Sequence, residues 1–296
     1  MCSSDLVACA DGYLYIFGGT QQGTVICDLS DPWNPVVKSI TKAPYVHDGY
    51  IRGDTLWASE IYAGRFSVFD VSNKEKPMLL AVQRTPAEFN HNSWLSDDSR
   101  YLFTTDERWN APLASFDVSN LADIRLLDTY YPSEHPTQEV HNVRVLNNYL
   151  VNPSYGGQLT LVDAHRPDNL IEIAHIRLGN SLVWDASPYL PSGNIIATAR
   201  NEGLFILKPV YERAAYLEGR VTDADSGQPL PRVKVVVQGT AYTDTTRPDG
   251  TFKTGAGTPG TYTVVLGKVG YQSLTLTDVV LKRGETTWIE VALKRF

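Results

Sequence analysis

Four dipeptides in this 296-residue chain carry side chains that could do chemistry. Each combines an imidazole or indole ring with a carboxylate or an amide. They are His47-Asp48, His91-Asn92, His141-Asn142 and Trp184-Asp185, and Asp106 and Glu107 add further carboxylates. Imidazole nitrogens and carboxylate oxygens are ligands for divalent transition metals, and the same groups serve as general acids and bases. Such chemistry requires that the fold bring these side chains together.

The dipeptides occupy one repeated position, because they head successive copies of one segment. Four copies contain the related stretches TVICDLSDPWNPVV, FSVFDVSNKEKPMLL, LASFDVSNLADIRLL and LTLVDAHRPDNLIEI. The aspartates that they share are Asp28, Asp70, Asp117 and Asp163, spaced 42, 47 and 46 residues apart. A fifth, degenerate copy covers residues 193–209. The chain is therefore built from internal repeats, and the repeat length indicates the fold.

Each copy contains about four short β-type runs with turn residues between them, and a period of about 40–50 residues is typical of a β-propeller blade. In RFSVFDV (65–71) both alternating sets of side chains are apolar, as in a strand that is covered on both faces. We therefore predict an all-β propeller over residues 7–209, with the first strand of each copy innermost and no long helix.

The chain changes character after a linker predicted at residues 210–216. RVKVVVQG and TTWIEVALKR alternate apolar and polar residues, so each strand buries one face only. DSGQPLP, PDG and TPG have the composition of turns. This pattern predicts a second domain, a small antiparallel β-sandwich, over residues 217–296.

Composition and charge exclude several classes of protein. The net charge is −7, whereas nonspecific nucleic-acid binding needs clustered Lys and Arg. No apolar run approaches the roughly 20 residues of a membrane-spanning helix. Cys2, Cys9 and Cys27 form neither a disulfide framework nor a zinc motif, and no GxSxG, HExxH or phosphate-binding loop is present. We predict no nucleic-acid partner, no transmembrane segment, no cofactor, no metal and no catalytic residue.

The stretches LTLVD, FSVFDVS, HDGYIRGDTLWAS and HNSWLSDDSRYLFTTDE carry a resemblance to a known family. Through them, residues 7–209 resemble the LVIVD-repeat, or choice-of-anchor B, family of secreted bacterial propellers. LEGRVTDADSGQPLPRVKVVVQGT, PDGTF and GTYTVVLGKVGYQS make residues 217–296 similar to a carboxypeptidase regulatory-like domain. The second resemblance implies a transthyretin-like, carbohydrate-binding-like sandwich, common as an accessory module in Bacteroidota surface proteins. Neither resemblance supplies a catalytic residue.

Two interpretations of the repeated histidines stay open. If the first strands line a central channel, His47, His91 and His141 converge, and Asp106 and Glu107 could add oxygen ligands to a metal. Otherwise each dipeptide bonds backbone groups in the connection between two blades. We favour the second interpretation because no HxH or HxxxH spacing is present.

Tryptophans in turns are a further candidate for binding, because stacking rings suit sugars or peptides. Trp33 and Trp109 each lie among Asn and Pro residues. The complete set of candidate ligand-binding residues is His47, His91, His141, Trp33, Trp109, Asp106 and Glu107.

These features predict a noncatalytic bacterial protein that is secreted or attached to the cell surface, the location being implied by the resemblance. It would recognise a carbohydrate or protein partner through its propeller loops, with the sandwich as an accessory or spacer. The alternative is a propeller hydrolase or lyase that uses acids and histidines at the channel mouth.

The start of the sequence predicts an incomplete ring. The first copy begins at about Leu6 without a histidine dipeptide, and CSSDL (2–6) is similar to a translated sequencing-adapter fragment. We therefore interpret residues 1–6 as a non-native start. Propellers close with about 4–8 blades, so a four-bladed ring whose last blade pairs with the first is the alternative. Because of the features of the first copy, we expect an open arc of blades.

Overall fold

The computed structural model describes residues 6–19, 22–134, 138–180 and 182–296. Within these ranges the chain forms β-strands, turns and one short 3₁₀ helix, Ile61–Ala63, which confirms the all-β prediction. No helix in the described ranges has the length and apolar composition of a membrane span. Of the predicted non-native start, residues 1–5 lie outside the described ranges, and Leu6 begins the first strand.

Residues 6–207 form five antiparallel sheets that follow one another along the chain. Sheet 1 contains β1 (Leu6–Ala10), β2 (Tyr13–Phe17), β3 (Val25–Asp28) and β4 (Val36–Ile40). Sheet 2 contains β5 (Asp48–Arg52), β6 (Thr55–Glu60), β7 (Arg65–Asp70) and β8 (Met78–Arg84). Sheet 3 contains β9 (Asn90–Leu95), β10 (Tyr101–Asp106), β11 (Leu113–Asp117) and β12 (Arg125–Tyr130). Sheet 4 contains β13 (Arg144–Leu146), β14 (Tyr149–Ser154), β15 (Gln158–Asp163) and β16 (Ile171–Arg177), and sheet 5 contains β17 (Val183–Ser187), β18 (Ile195–Ala199) and β19 (Gly203–Leu207).

Each sheet keeps its strands in sequence order, with the first strand at one edge. The first strands of neighbouring sheets approach one another, since β5 lies against both β1 and β9. One cavity is lined by residues from β1, β5, β9, β13 and β17 or from the chain just before them. The first strand of each sheet is therefore the innermost, as the repeat pattern predicts.

The two faces of β7 show why both alternating sets of its side chains are apolar. Phe66 and Val68 pack with residues of sheet 3, and Phe69 and Val71 pack with residues of sheet 1. All four side chains are buried. The strand is thus covered on both faces by neighbouring blades, as the sequence RFSVFDV predicts.

The buried apolar clusters connect the sheets in chain order. Separate clusters join sheet 1 to sheet 2, sheet 2 to sheet 3, sheet 3 to sheet 4, and sheet 4 to sheet 5. Among the described residues, no such cluster joins sheet 5 back to sheet 1. This arrangement agrees with the expected open arc of blades.

The remaining strands form a sandwich of two sheets. They are β20 (Ala215–Asp223), β21 (Lys234–Val237), β22 (Thr243–Thr245), β23 (Thr251–Ala256), β24 (Gly260–Gly267), β25 (Leu274–Leu281) and β26 (Thr286–Leu293). One sheet has the order β23-β20-β26 and the other β22-β21-β24-β25, and β20 and β26 pair in parallel. Strand β20 begins at Ala215, so the last two residues of the predicted linker, 215 and 216, belong to the sandwich. Both of them pair with β23.

The sandwich packs directly on sheet 4. Tyr216 is fully buried, and its ring packs with Ile171 of β16. Polar contacts surround this apolar contact: the Asn169 side-chain amide donates to the Thr254 carbonyl oxygen at 3.0 Å, and Arg166 lies 2.7 Å from the Glu218 carboxylate. The two domains therefore share an ordered, partly apolar interface.

Candidate functional site

A cavity of about 670 Å³ lies among the inner strands of the five sheets. Its walls combine aromatic rings, imidazoles and charged groups. The side chains that matter for its chemistry are His47, Asp48, Tyr50, His91, Trp94, His141, Arg144, Trp184 and Asp185. A mostly formed concave site with aromatic walls and a few polar groups is typical of ligand-binding pockets.

The fold places the three predicted histidines side by side at this cavity. The His47 and His91 ring centroids are 4.5 Å apart, and the His91 and His141 centroids are 4.2 Å apart. Backbone hydrogen bonds to the second strand of each sheet fix the positions of two of these histidines. His47 N–H donates to the Ser59 carbonyl oxygen of β6. His141 N–H donates to the Pro153 carbonyl oxygen of β14. The repeated position in sequence is therefore a contiguous cluster in space.

Glu107 completes this cluster from the turn that follows β10. Its carboxylate oxygens lie 3.8 Å from His91 Nε2 and 3.8 Å from His141 Nε2. The Tyr155 hydroxyl donates to Glu107 Oε1 at 2.6 Å, and the Tyr155 ring stacks on His141. We refer to His47, His91, His141 and Glu107 as the histidine–glutamate cluster.

The environment keeps the three imidazoles neutral. Burial lowers the pKa of His47 to about 4, and burial likewise lowers the pKa of His141 to about 4. Burial, followed by the neighbouring His141 and His47, holds the pKa of His91 well below its usual value. Near neutral pH each ring therefore has one protonated nitrogen and one nitrogen lone pair.

The residues beside the histidines connect the blades. The Asn92 side-chain amide donates to Asp48 at 2.6 Å, while its oxygen accepts from Val143 N–H at 3.0 Å. The Asn142 amide lies 3.3 Å from the Trp184 carbonyl oxygen, to which it donates. The two interpretations of the dipeptides thus each describe part of the arrangement: the amides and the His141 ring bond across blades, and the three imidazoles converge.

Sequence reasoning missed the cavity wall formed by Tyr50, Trp94 and Arg144. The rings of Tyr50 and Trp94 are 4.3 Å apart, and the Arg144 guanidinium lies 4.6 Å from the Trp94 centroid while it pairs with Asp185 at 2.8 Å. Each of the three follows a repeated histidine by three positions. Aligning the copies at that offset would have found them.

Asp106 lies apart from the cluster although it precedes Glu107. Its carboxylate accepts hydrogen bonds from Thr85 Oγ1 at 2.5 Å, Ala87 N–H at 2.7 Å and Phe89 N–H at 3.1 Å. The residue is buried, and the pairing of β9 with β10 shifts register at this point. Asp106 thus anchors the connection between sheets 2 and 3.

We expect Asp106→Asn to lower the free energy of unfolding by about 1–3 kcal/mol, because an amide nitrogen cannot accept from the buried N–H groups. Urea unfolding of the variant beside the wild-type protein measures this loss. The control is Asp123→Asn, at an exposed position between β11 and β12 of the same sheet, and it should leave the midpoint of urea unfolding unchanged. Equal stability of Asp106→Asn and the wild-type protein would contradict the anchoring role.

The two predicted tryptophan contacts lie outside the cavity. Trp33, between β3 and β4, is 92% exposed, and Trp109, between β10 and β11, is 69% exposed. Neither lines the central cavity. Of the seven candidate residues, the structure therefore brings together His47, His91, His141 and Glu107 and places Asp106, Trp33 and Trp109 elsewhere.

Comparisons with known proteins bear on both domains. The chain covers 90% of the β-propeller domain of Cps50 (Swd1) from Myceliophteria thermophila over 98% of its own length, with a TM-score of 0.53 and 12% identity. A C-terminal interface mutant of a type II cohesin–X–dockerin complex from Acetivibrio cellulolyticus is similar over 27% of this chain, with 18% identity and a TM-score of 0.24. The match covers 56% of that chain.

No curated protein matches the sequence. The similarity to the Cps50 propeller, at 12% identity, indicates the fold and nothing about function. This fold agrees with the propeller that the repeats predict. Residues 216–294 match the family described as the carboxypeptidase regulatory-like domain. The carboxyl-terminal module is accordingly similar to a carboxypeptidase regulatory-like domain, and it is joined to a segment of β-propeller-like fold.

Proposed function

We propose that this protein is a noncatalytic binding protein of the bacterial cell surface or exterior, and that its central cavity recognises a carbohydrate. The sandwich acts as an accessory or spacer module. The proposal assigns the propeller to the LVIVD-repeat, or choice-of-anchor B, type, on the strength of the repeated stretches such as FSVFDVS.

The observation that carries the proposal is the composition of the cavity wall. Trp184 is 38% exposed and lines the cavity, and the Tyr50–Trp94 pair lines it as well. The Arg144–Asp185 pair, with its 2.8 Å contact, provides hydrogen-bond donors and acceptors close to these rings. Flat rings that stack on C–H faces, next to charged groups that bond hydroxyls, suit a sugar better than an apolar ligand.

A glycan-array screen of the full-length chain, followed by calorimetry with the best ligand, tests this assignment. Trp184→Ala should weaken binding by up to about tenfold, because stacking on one aromatic ring contributes about 0.5–1.5 kcal/mol. Trp33→Ala is the matched control, since Trp33 is exposed but outside the cavity, and it should bind as the wild-type protein does.

Three outcomes would argue against the proposal. The first is that the array shows no ligand. The second is that Trp33→Ala weakens binding as much as Trp184→Ala. The third is that the protein cleaves the bound sugar, as a hydrolase or a lyase would. The last outcome would favour the enzymatic alternative. That alternative has to rely on His91 and Glu107, because Asp106 is engaged with Thr85, Ala87 and Phe89.

A further inference from the structure

We propose that the histidine–glutamate cluster binds one divalent transition-metal ion of the Zn²⁺ class. His47, His91 and Glu107 are the three ligands whose atoms already lie close together, and His141, beside Glu107, moves in as the fourth. This site does not depend on carbohydrate binding in the cavity. It rests on the distances within the cluster, on the hydrogen bonds behind the ligands, and on the buried His141 Nε2 that faces the Glu107 carboxylate.

The distances within the cluster suit an ion better than hydrogen bonds. Two Glu107–histidine distances of 3.8 Å are too long for an N–H···O bond. Metal–ligand bonds of about 2.0–2.2 Å place two ligand atoms on one ion at most about 4.4 Å apart. One ligand atom each of His47, His91 and Glu107 lies within 4.8 Å of the others. Ligand atoms around a tetrahedral zinc ion are about 3.4 Å apart, so side-chain rotations that move these atoms by about 1 Å bring them onto one ion.

The tautomer of His141 is the most specific observation. His141 Nδ1–H donates to the Trp184 carbonyl oxygen at 2.6 Å, and a carbonyl oxygen can only accept. The lone pair of the neutral ring is therefore on Nε2, which is buried, lacks a hydrogen-bond partner among the described residues, and faces Glu107 Oε1. A lone pair beside a carboxylate is repulsive, and a cation between them removes the repulsion.

The surroundings of the cluster resemble the outer shell of metal sites. Ligating histidines usually donate their other N–H to a backbone carbonyl, and ligating carboxylates are themselves hydrogen-bonded. His141 donates its Nδ1–H to the Trp184 carbonyl oxygen, and the Glu107 carboxylate accepts a hydrogen bond from the Tyr155 hydroxyl. Imidazole and carboxylate together are ligands that zinc accepts.

Zinc uptake by the full-length protein tests the site. Protein treated with a chelator and then dialysed against Zn²⁺ at neutral pH should retain about one ion per chain, measured by mass spectrometry.

Glu107→Gln and His91→Gln should each lower zinc affinity at least about tenfold, because each removes a ligand at nearly constant size. Thermal melts of the metal-free variants establish that they are folded. Co²⁺ in place of zinc should give the visible absorption of a tetrahedral ion in wild-type protein and not in the Glu107→Gln or His91→Gln variant.

Two controls separate the cluster from other sites. His175→Gln removes an imidazole that contacts the carboxylates of Glu134 and Glu172 outside the cluster, and it should keep wild-type zinc affinity. Cys9→Ser removes a free thiol that lines the cavity and should also bind zinc normally. The proposal is overturned if wild-type protein retains no zinc, if Glu107→Gln binds as tightly as wild type, or if a control loses the ion.

Discussion

Asp163→Ala should lower the free energy of unfolding by about 3–5 kcal/mol, the range for removal of one partner of a buried charged network. The Asp163 side chain is fully buried and accepts from Ala214 N–H and from the Tyr216 hydroxyl, each at 2.7 Å. It also pairs with His165 and Arg213. Its loss leaves these donors without an acceptor at the point where the sandwich packs on sheet 4.

The repeat supplies a matched control for this variant. Asp117 occupies the same position in the preceding copy, where its carboxylate accepts from Ser119 N–H at 3.0 Å and contacts Arg125 near the surface. Asp117→Ala should cost about 1 kcal/mol, since it removes a turn hydrogen bond that water can replace. Chemical denaturation of both variants measures the difference. Equal losses would mean that Asp163 stabilises its own turn and not the interface between the domains.

Acidification gives an independent measure of the same network. Burial acts to raise the pKa of Asp163, but hydrogen bonds from His165, Ala214 and Tyr216 outweigh it and hold the pKa below its usual value. The stabilisation is therefore fully present above about pH 4 and is lost as the pH falls through the lower pKa of the folded state. The difference in stability between wild-type protein and Asp163→Ala should shrink below about pH 4 and stay constant above it.

Repetition made the inner strands predictable from the sequence. Because His47, His91 and His141 hold the same place in three copies, the blade arrangement alone brings them to one cavity. The alternating apolar pattern of β7 likewise specified its two covered faces. Local periodicity and the symmetry of stacked blades were enough to predict the covered faces of β7. They offered the convergence of the histidines only as the less favoured of two interpretations.

Adjacent carboxylates show where sequence reasoning reached its limit. Asp106 and Glu107 are neighbours in sequence, yet a register shift at the end of β10 sends one to the connection between sheets and the other to the histidines. The repeated aspartates differ in the same way, since the docked sandwich buries Asp163 and leaves Asp117 near the surface. Such differences arise from contacts between distant segments, which a repeat pattern does not contain.

Phe66→Ala should also lower the free energy of unfolding by about 3–5 kcal/mol, the range for truncating a buried phenylalanine. The Phe66 side chain is fully buried between sheets 2 and 3. Its ring lies 5.5 Å from the Phe116 ring and 6.1 Å from the Trp57 ring, measured between centroids. Alanine leaves a cavity that these rigid rings cannot fill without moving the strands that carry them.

Urea unfolding followed by tryptophan fluorescence measures this loss, because Trp57 reports on the affected contact. Leu79→Ala in the outer strand β8 is the control: Leu79 is 50% exposed, so its truncation should change stability by less than about 1 kcal/mol. The comparison tests whether stacking of adjacent blades, and not the strands of a single sheet, stabilises the propeller. If Phe66→Ala lowered the free energy of unfolding no more than Leu79→Ala, stacking of the blades would not stabilise the propeller, and each sheet would have to be stable alone. That outcome would contradict the prediction, because an isolated four-stranded sheet would expose two apolar faces to water.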